Sequence, residues 1–391
     1  MRSLIFFLLV ACINIYSLEA QTTLQESFVF EGKSRTYRIY LPANYIPGSV
    51  RPVIFHFHGY SQTAANEQSF SKWMPVADTA GFLVVYPNGL MDPFHSNNQY
   101  WNVGWSWLPN TNDVGFVSAL IDTVHARHST DTQRVYASGM SNGGFMAFLL
   151  GANLSNKIAA VASVSGGIAP SVYDTLVPKR PIPTLAIHGT ADNLVPYNGS
   201  GGMFASVHAD SVFAFWGLHN QCAPEVDTTN LPNLATGDGS TVVLFEFKNE
   251  ACLYDSRLYR IVGGGHVDWP GSSVPGNQDI NACSEIWIFF KTYTLPPMVS
   301  SEDPHSDDAI SISLYPVPAQ DEVTISLNQV GDSHDPISLT IVNTMGEVIQ
   351  RGKINTGEST ITVNMKSNSP GMYFVIANQG RRQTVYKLLK V

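Results

Sequence analysis

Charge is what this chain has least of. Only 14% of its residues are Asp, Glu, Lys or Arg, and the basic ones are the scarcer, 22 against 31 acidic, for a net charge of −9. A nucleic-acid partner would need a basic patch that this balance does not supply. No run of like charge is long enough to make an electrostatic tail. Long apolar runs are missing too. After the first residues no segment offers eighteen apolar residues in succession, so no stable membrane span is expected. Cysteine occurs only 4 times. What is plentiful is apolar side chain, 44% of the chain, which with so little charge reads as globular and not disordered. A length of 391 residues allows two domains, or one large domain with an appendage.

The apolar run at the start has its own reading. In "MRSLIFFLLVACINIYSLEAQ" one Arg precedes the stretch Leu4 to Ala11, and small Ala20 precedes Gln21. Residues 1–20 are therefore expected to be a secretory signal peptide, and the protein to be secreted, extracellular or at the cell surface. "LVAC" offers a rival, lipid attachment at Cys12, although the apolar core before it would be very short. Without Cys12 three cysteines remain. Cys222 and Cys252 could close a modest loop, worth roughly 3 kcal/mol if unstrained, but spacing alone leaves connectivity open. Cys283 lies in an apolar helical pattern and reads as a buried free thiol.

Further on, "QESFVFEGKSRTYRIYL" (25–41) reads as a hairpin around Glu31-Gly32-Lys33-Ser34. Short apolar runs bounded by turn residues follow: "RPVIFHFHG", "GFLVVYP", "RVYASG", "IAAVASVSG" and "IPTLAIHG". Such runs suit central strands covered on both faces. Helical patterns alternate with them, as in "DVGFVSALIDTVHARH", "GGFMAFLLGANL", "ASVHADSVFAFWGLHN" and "DINACSEIWIFFKTY". Strand and helix in alternation predict an α/β fold with a doubly wound, mainly parallel sheet over 21–295. The texture then changes. "TLPPMVSSEDPHSDDA" is rich in Pro, Ser and Asp, and residues 296–309 are expected to be a linker. Residues 310–391 alternate apolar and polar side chains with no helical pattern, which predicts a small all-β sandwich.

The stretch that carries chemistry is "RVYASGMSNGGFMAFLL" (134–150). Gly139, Ser141 and Gly143 give G-x-S-x-G, a strand before and an apolar helix after. A serine hydroxyl is a poor nucleophile without a base in reach and donors for the oxyanion. A sharp strand-to-helix turn lifts the Oγ above the sheet edge, and the following helix aims free N–H groups at it. Glycines are needed where a Cβ would meet the neighbouring strand. The arrangement resembles the nucleophile elbow of α/β-hydrolases. In that architecture a loop after an early strand supplies the second oxyanion donor. Here that loop is His58-Gly59-Tyr60-Ser61, so the backbone N–H groups of Asn142 and Tyr60 are the candidate oxyanion hole. His56 and His58 form H-x-H, which could bind zinc, but no third ligand stands at useful spacing and no metal is expected.

Two further residues complete the set. "PTLAIHGTADNLVPY" is a buried strand running into Asp192, at the rim where an acid can orient an imidazole. A turn Asp capping its own backbone is the plainer reading, and Asp268 is the backup acid. "YRIVGGGHVDWPG" places His266 after three glycines, read as a flexible loop that lets the ring reach Ser141. The chain order Ser141, Asp192, His266 is that of α/β-hydrolases.

Residues 25–295 resemble the secreted esterase group that includes polyhydroxybutyrate depolymerases and feruloyl or acetylxylan esterases. The likeness rests on "HGYSQ", "YPNG", "WNVGW", "NDVGFVSALID", "GMSNGG", "HGTADNLVPY" and "GGGHVDWPG". It implies Ser141 as nucleophile, His266 as base and Asp192 as acid, with no cofactor, acting on an ester substrate that can be polymeric. It also implies a disulfide between Cys222 and Cys252, where relatives often carry one. One departure stands out: relatives have a single residue between the His and the Trp, where this chain has Val267 and Asp268. His58, Trp101, Trp105 and Trp269 are the candidate pocket residues, since aromatics at a site mouth suit a sugar, an aromatic acyl group or a polyester. A Trp buried in a loop core is the equal alternative for each.

The C-terminal stretches "LYPVPAQDEVTISL", "NTMGEVI" and "GMYFVI", followed by a basic end, resemble the sorting domain of the bacterial type IX secretion pathway. That implies a partner in the secretion machinery, a host of the Bacteroidetes type and a tail cleaved after export. A polymer-binding sandwich is the alternative, with few aromatics to stack on a sugar. The reading as a whole is a secreted serine esterase. A secreted peptidase and a non-catalytic polymer-binding homologue stand as rivals.

Overall fold

The computed structural model describes residues 22–94, 98–223, 225–247, 252–266, 269–271, 276–295, 310–316, 319–329, 335–343, 347–355, 357–380 and 382–390. The expected signal peptide with Cys12, the linker, and Val267 with Asp268 lie outside the described residues.

The first region opens with a hairpin, β1 (Thr22–Phe30) and β2 (Lys33–Leu41). Its two turn residues, Glu31 and Gly32, have φ of 47° and 73°, the left-handed pair that matches strand twist. β3 (Arg51–Phe57) leads to helices α1 (Ala64–Ser71) and α2 (Trp73–Ala80), then β4 (Leu83–Pro87). A short hairpin, β5 (Leu90–Met91) and β6 (Gln99–Tyr100), precedes α3 (Asp113–His128). β7 (Thr130–Met140), α4 (Asn142–Asn153), β8 (Ala160–Val164), α5 (Pro170–Tyr173), β9 (Thr184–Gly189) and α6 (Ala209–His219) continue the alternation. β10 (Asp227–Asn230), β11 (Thr241–Phe247), β12 (Ser256–Val262) and α7 (Ala282–Phe290) close the region.

Ten of these strands form one sheet in the order β1-β2-β4-β3-β7-β8-β9-β12-β11-β10. From β4 to β12 all neighbours are parallel, and an antiparallel pair is added at each edge. The doubly wound sheet is as expected. The edge strands β10 and β11 are not foreseen, because β10 is exposed along its whole length and has no apolar run to announce it.

Successive side chains of β3 show why the runs are continuous. Val53, Phe55 and Phe57 enter one core with Phe116 of α3, Phe145 of α4 and Trp216 of α6. Ile54 enters the other with Trp73, Ala77 of α2 and Ile286 of α7. Helices therefore cover both faces, so most positions of the central strands are apolar, and a buried polar one such as His56 has both ring nitrogens hydrogen-bonded. Cys222 and Cys252 form a disulfide. Cys283 is buried in α7, donating to the Ser71 carbonyl at 2.9 Å, and burial pushes its thiol well above the ordinary range.

The C-terminal region is built from β13 (Ser311–Tyr315), β14 (Glu322–Gln329), β15 (Ile337–Asn343), β16 (Val348–Ile354), β17 (Thr360–Asn364), β18 (Gly371–Gln379) and β19 (Arg382–Lys390). They pair into two antiparallel sheets, β13-β14-β17 and β16-β15-β18-β19. Alternate residues such as Val323, Ile325, Leu339, Ile341, Val375 and Leu388 meet in a core of their own, as period-two patterning requires.

Candidate active site

β7 ends at Met140, and the chain turns into α4 through Ser141, whose φ of 54° and ψ of −123° lie outside the comfortable regions for a residue with a Cβ. The turn is clamped. Ser141 N donates to the Val164 carbonyl of β8 at 2.9 Å. A Cβ on Gly143 would lie 2.0 Å from the Phe57 carbonyl oxygen, and one on Gly139 would lie 2.4 Å from the Gly143 oxygen. Only hydrogen fits at either place, so the spacing read from the sequence records a steric requirement. The result is a serine hydroxyl held at the carboxyl edge of the sheet, where open α/β sheets place their sites.

Two loops from neighbouring strands meet it. The loop after β9 and the loop after β12 are zipped together: Thr190 N donates to Ile261 O and Ala191 N to Gly264 O, each at 2.9 Å. A Cβ on Gly189 would lie 2.3 Å from the Gly264 oxygen. A Cβ on Gly263 would lie 2.6 Å from the Gly239 oxygen and one on Gly264 2.6 Å from Ile261 Cγ2, so these two glycines stand where the packing is close. His266 Nε2 is 2.9 Å from Ser141 Oγ, and its Nδ1 is 2.8 Å from Asp192 Oδ2.

Asp192 is buried, which alone would raise its pKa. Hydrogen bonds from His188 and His266, the His266 charge when it is protonated, and the Val195 amide outweigh burial and hold its carboxyl well below the usual carboxylate range. An ionised carboxylate only accepts, so His266 carries its proton on Nδ1 and leaves Nε2 to accept from Ser141. Asp192 Oδ1 accepts from the amides of Leu194 and Val195 at 2.9 and 2.8 Å. The capping role and the imidazole contact are therefore both present, one on each oxygen. His188, four residues before, is 3.4 Å from Oδ2 and donates to the Val195 carbonyl at 2.8 Å. It is a partner that sequence reasoning missed, and its only signal was the H-G-x-x-D spacing.

Asn142 opens α4, so its backbone N–H has no carbonyl a turn earlier to bind. Its side chain is buried and pins the Trp101 backbone, accepting from Trp101 N at 2.7 Å and donating to Trp101 O at 3.1 Å. On the other side Gly59 presses on the serine, a Cβ there falling 3.5 Å from Ser141 Cβ. Tyr60 follows, its hydroxyl donating to Asp92 at 3.0 Å.

A cavity of about 390 Å³ opens beside the hydroxyl, lined among others by Tyr60, Phe70, Met140, Ser141, Leu194, Val195, Phe204, His266 and Glu67. The four side chains expected in the pocket are elsewhere. Trp101 is buried, its indole donating to His58 O at 3.0 Å. Trp105 is buried, donating to Ala205 O at 2.9 Å and packing on Phe145. Trp269 is buried against His56, ring centroids 5.2 Å apart. His58 is sealed in the core, Nδ1 against Gly59 O and Nε2 accepting from Gly89 N at 2.9 Å, and burial lowers its pKa to about 4. These residues support the site's loops from behind, because each large ring finds a core partner and the indoles of Trp101 and Trp105 reach carbonyls of other segments. The aromatic residues that line the cavity are Tyr60, Phe70 and Phe204, from three separate loops or helices; Tyr60 lies in the HGYSQ stretch, while Phe70 and Phe204 carry no sequence signature. His56 is likewise engaged, by Ser138 Oγ at 2.7 Å and Glu67 Oε1 at 2.8 Å.

A mainly parallel sheet with a serine elbow and a His and an Asp on the following loops defines an α/β-hydrolase. Residues 35–178 match the family described as esterase PHB depolymerase, and residues 313–391 match the secretion system C-terminal sorting domain. The chain is 30% identical over 273 residues to the bifunctional acetylxylan esterase/xylanase XynS20E of Neocallimastix patriciarum, covering 69% of this chain and 35% of that one. It is 28% identical to feruloyl esterase B of Piromyces equi, over 65% of this chain and 44% of the relative. With the putative esterase NocK of Nocardia uniformis subsp. tsuyamanensis it shares 30% identity, covering 66% of this chain and 76% of the relative. It spans less than half the length of the first two. The chain belongs to the polyhydroxybutyrate-depolymerase type of esterases, a family of carboxylic ester hydrolases. Its C-terminal sorting domain marks it for the cell surface or the extracellular space. No helix among the described residues is long and apolar enough to cross a membrane.

Proposed function

We propose that the protein hydrolyses carboxylic esters through Ser141, His266 and Asp192. The observation that carries this is the continuous hydrogen-bond line from Ser141 Oγ through His266 to Asp192. Ser141 Oγ attacks the ester carbonyl carbon while His266 Nε2 takes its proton, and ionised Asp192 stabilises the imidazolium. The oxyanion is received by the backbone N–H groups of Asn142 and Tyr60. The tetrahedral species collapses, the C–O bond to the alcohol breaks, and His266 returns the proton to the departing oxygen. Water then attacks the acyl-enzyme, gives its proton to His266, and the acid is released as Ser141 recovers its own.

The substrates proposed are acyl esters of plant polysaccharide, acetyl or feruloyl, or a polyhydroxyalkanoate-type polyester. Relatives named acetylxylan esterase and feruloyl esterase support this range. The secretion machinery is the proposed partner of the C-terminal region, with residues 1–20 as signal peptide, 21–295 as the catalytic domain, 296–309 as linker and 310–391 as the sorting domain. Ser141→Ala is expected to lower kcat on a p-nitrophenyl ester by about 10⁴–10⁶-fold. It is also expected to abolish labelling by a fluorophosphonate, with the melting temperature kept. Retained turnover in the pure variant would remove the mechanism.

A further inference from the structure

A buried polar chain runs beside the Ser141 cavity and takes no part in the steps above. His56, enclosed by the rings of Trp73, Tyr86 and Trp269, bonds Ser138 Oγ through Nδ1 and Glu67 Oε1 through Nε2. A carboxylate in such surroundings is costly unless both its oxygens are used. His56 uses one. Glu67 Oε2 accepts no hydrogen bond among the described residues, yet it is not one of the sealed, unpartnered atoms of the core. Glu67 is 3% exposed and is one of the residues lining the cavity shared with Ser141 and His266. Phe70, one turn on along α1, and Tyr60 and Phe204 from other segments line the same cavity. Ser61, Gln62 and Asn66 also line the cavity, but Glu67 is the one carboxylate among its lining residues and its strongest hydrogen-bond acceptor beside Ser141 and His266.

We propose that Glu67 is a specificity-determining residue that accepts a hydrogen bond from a hydroxyl on the acyl group of the substrate. The inference rests on the esterase reading and narrows its substrate class. A polysaccharide alcohol is too large for about 390 Å³, so the acyl group is the part that fills the cavity. An acetyl group would leave Oε2 without a partner. A hydroxylated acyl group satisfies it, whether the hydroxyl is on an aromatic ring or on the third carbon of an alkanoate.

The test uses the full chain and two matched pairs of esters: methyl 4-hydroxycinnamate against methyl cinnamate, and p-nitrophenyl 3-hydroxybutyrate against p-nitrophenyl butyrate. The hydroxylated member of at least one pair is expected to have the higher kcat/KM, by roughly 10- to 100-fold. Glu67→Gln keeps an oxygen for His56 but turns an N–H donor toward the cavity, and is expected to bring that ratio to within about threefold of one. Fluorophosphonate titration of Ser141 corrects for the folded fraction. Wild-type ratios near one in both pairs overturn the proposal, whether or not the variant folds. A preference that survives Glu67→Gln overturns it too, since a residue that only braces His56 would slow both members alike. If no ester, p-nitrophenyl acetate included, is turned over and Ser141 is not labelled, the esterase reading itself fails and takes this proposal with it.

Discussion

The two folded regions solve opposite problems. Residues 22–295 enclose His56, His58, Asp113, Asn142, His188, Asp192 and His266 among their buried groups, and keep Ser141 at positive φ. Residues 310–390 bury a core drawn almost wholly from Ile, Val, Leu, Ala and Met, with Gln379 and Lys390 the buried polar side chains among the described residues. The first spends stability on a fixed polar geometry. The second is a patterned shell with nothing to hold. The difference teaches that a site and an address need different interiors. Chemistry needs satisfied polar groups in low dielectric, whereas recognition of a tail needs only that it fold and be displayed.

Four changes would break or sharpen that contrast. The largest effect is expected from Asp192→Asn, which takes the accepting oxygen from His266 Nδ1 and should cost about 10³–10⁴-fold in kcat, read by steady-state kinetics with the fold checked by circular dichroism. Next is Gly143→Ala. Its Cβ would fall 2.0 Å from the Phe57 oxygen, so the elbow must shift. A loss of more than about 3 kcal/mol is expected, and a variant melting like the wild type would show that the clamp is soft.

The third is a titration. Burial holds His58 at about 4, while in the unfolded chain it takes a proton near the ordinary value of about 6.5. Protons therefore favour unfolding. The contribution is complete above pH ~6.5 and is lost as pH falls through about 4, on the order of 3 kcal/mol in all. Denaturant unfolding of residues 22–295 should weaken through that window, and His58→Asn should flatten the slope. The β-sandwich, with no buried histidine among its described residues, should not follow. The smallest effect is Val375→Ala, which opens a cavity in the sandwich core and should cost about 2 kcal/mol there while leaving kcat on soluble esters unchanged. A fall in kcat would mean the two regions are coupled.

Legibility in the sequence followed the range of the forces involved. The elbow was visible because its steric constraint, although set by Phe57 on another strand, is answered by residue types within five positions. The central strands were visible because burial on both faces leaves few polar positions. The alternation of β15, buried at Ile337, Leu339 and Ile341 and exposed at Ser338, reads off just as directly. Asp192 and His266 were legible by type and order. What was not legible is the close packing around the glycines of the loop after β12, because the Gly189 backbone and the Gly239 oxygen they meet lie on other segments.

By itself the sequence determined the α/β alternation, the patterned tail, and which serine, acid and imidazole could be brought to one rim. Only the tertiary structure decided which rings face the substrate. Trp101, Trp105 and Trp269 went into the core and Tyr60, Phe70 and Phe204 to the cavity. A tryptophan's burial depends on partners a hundred residues away or more, such as the Ala205 carbonyl that receives the Trp105 indole, and no local pattern encodes a partner at that distance.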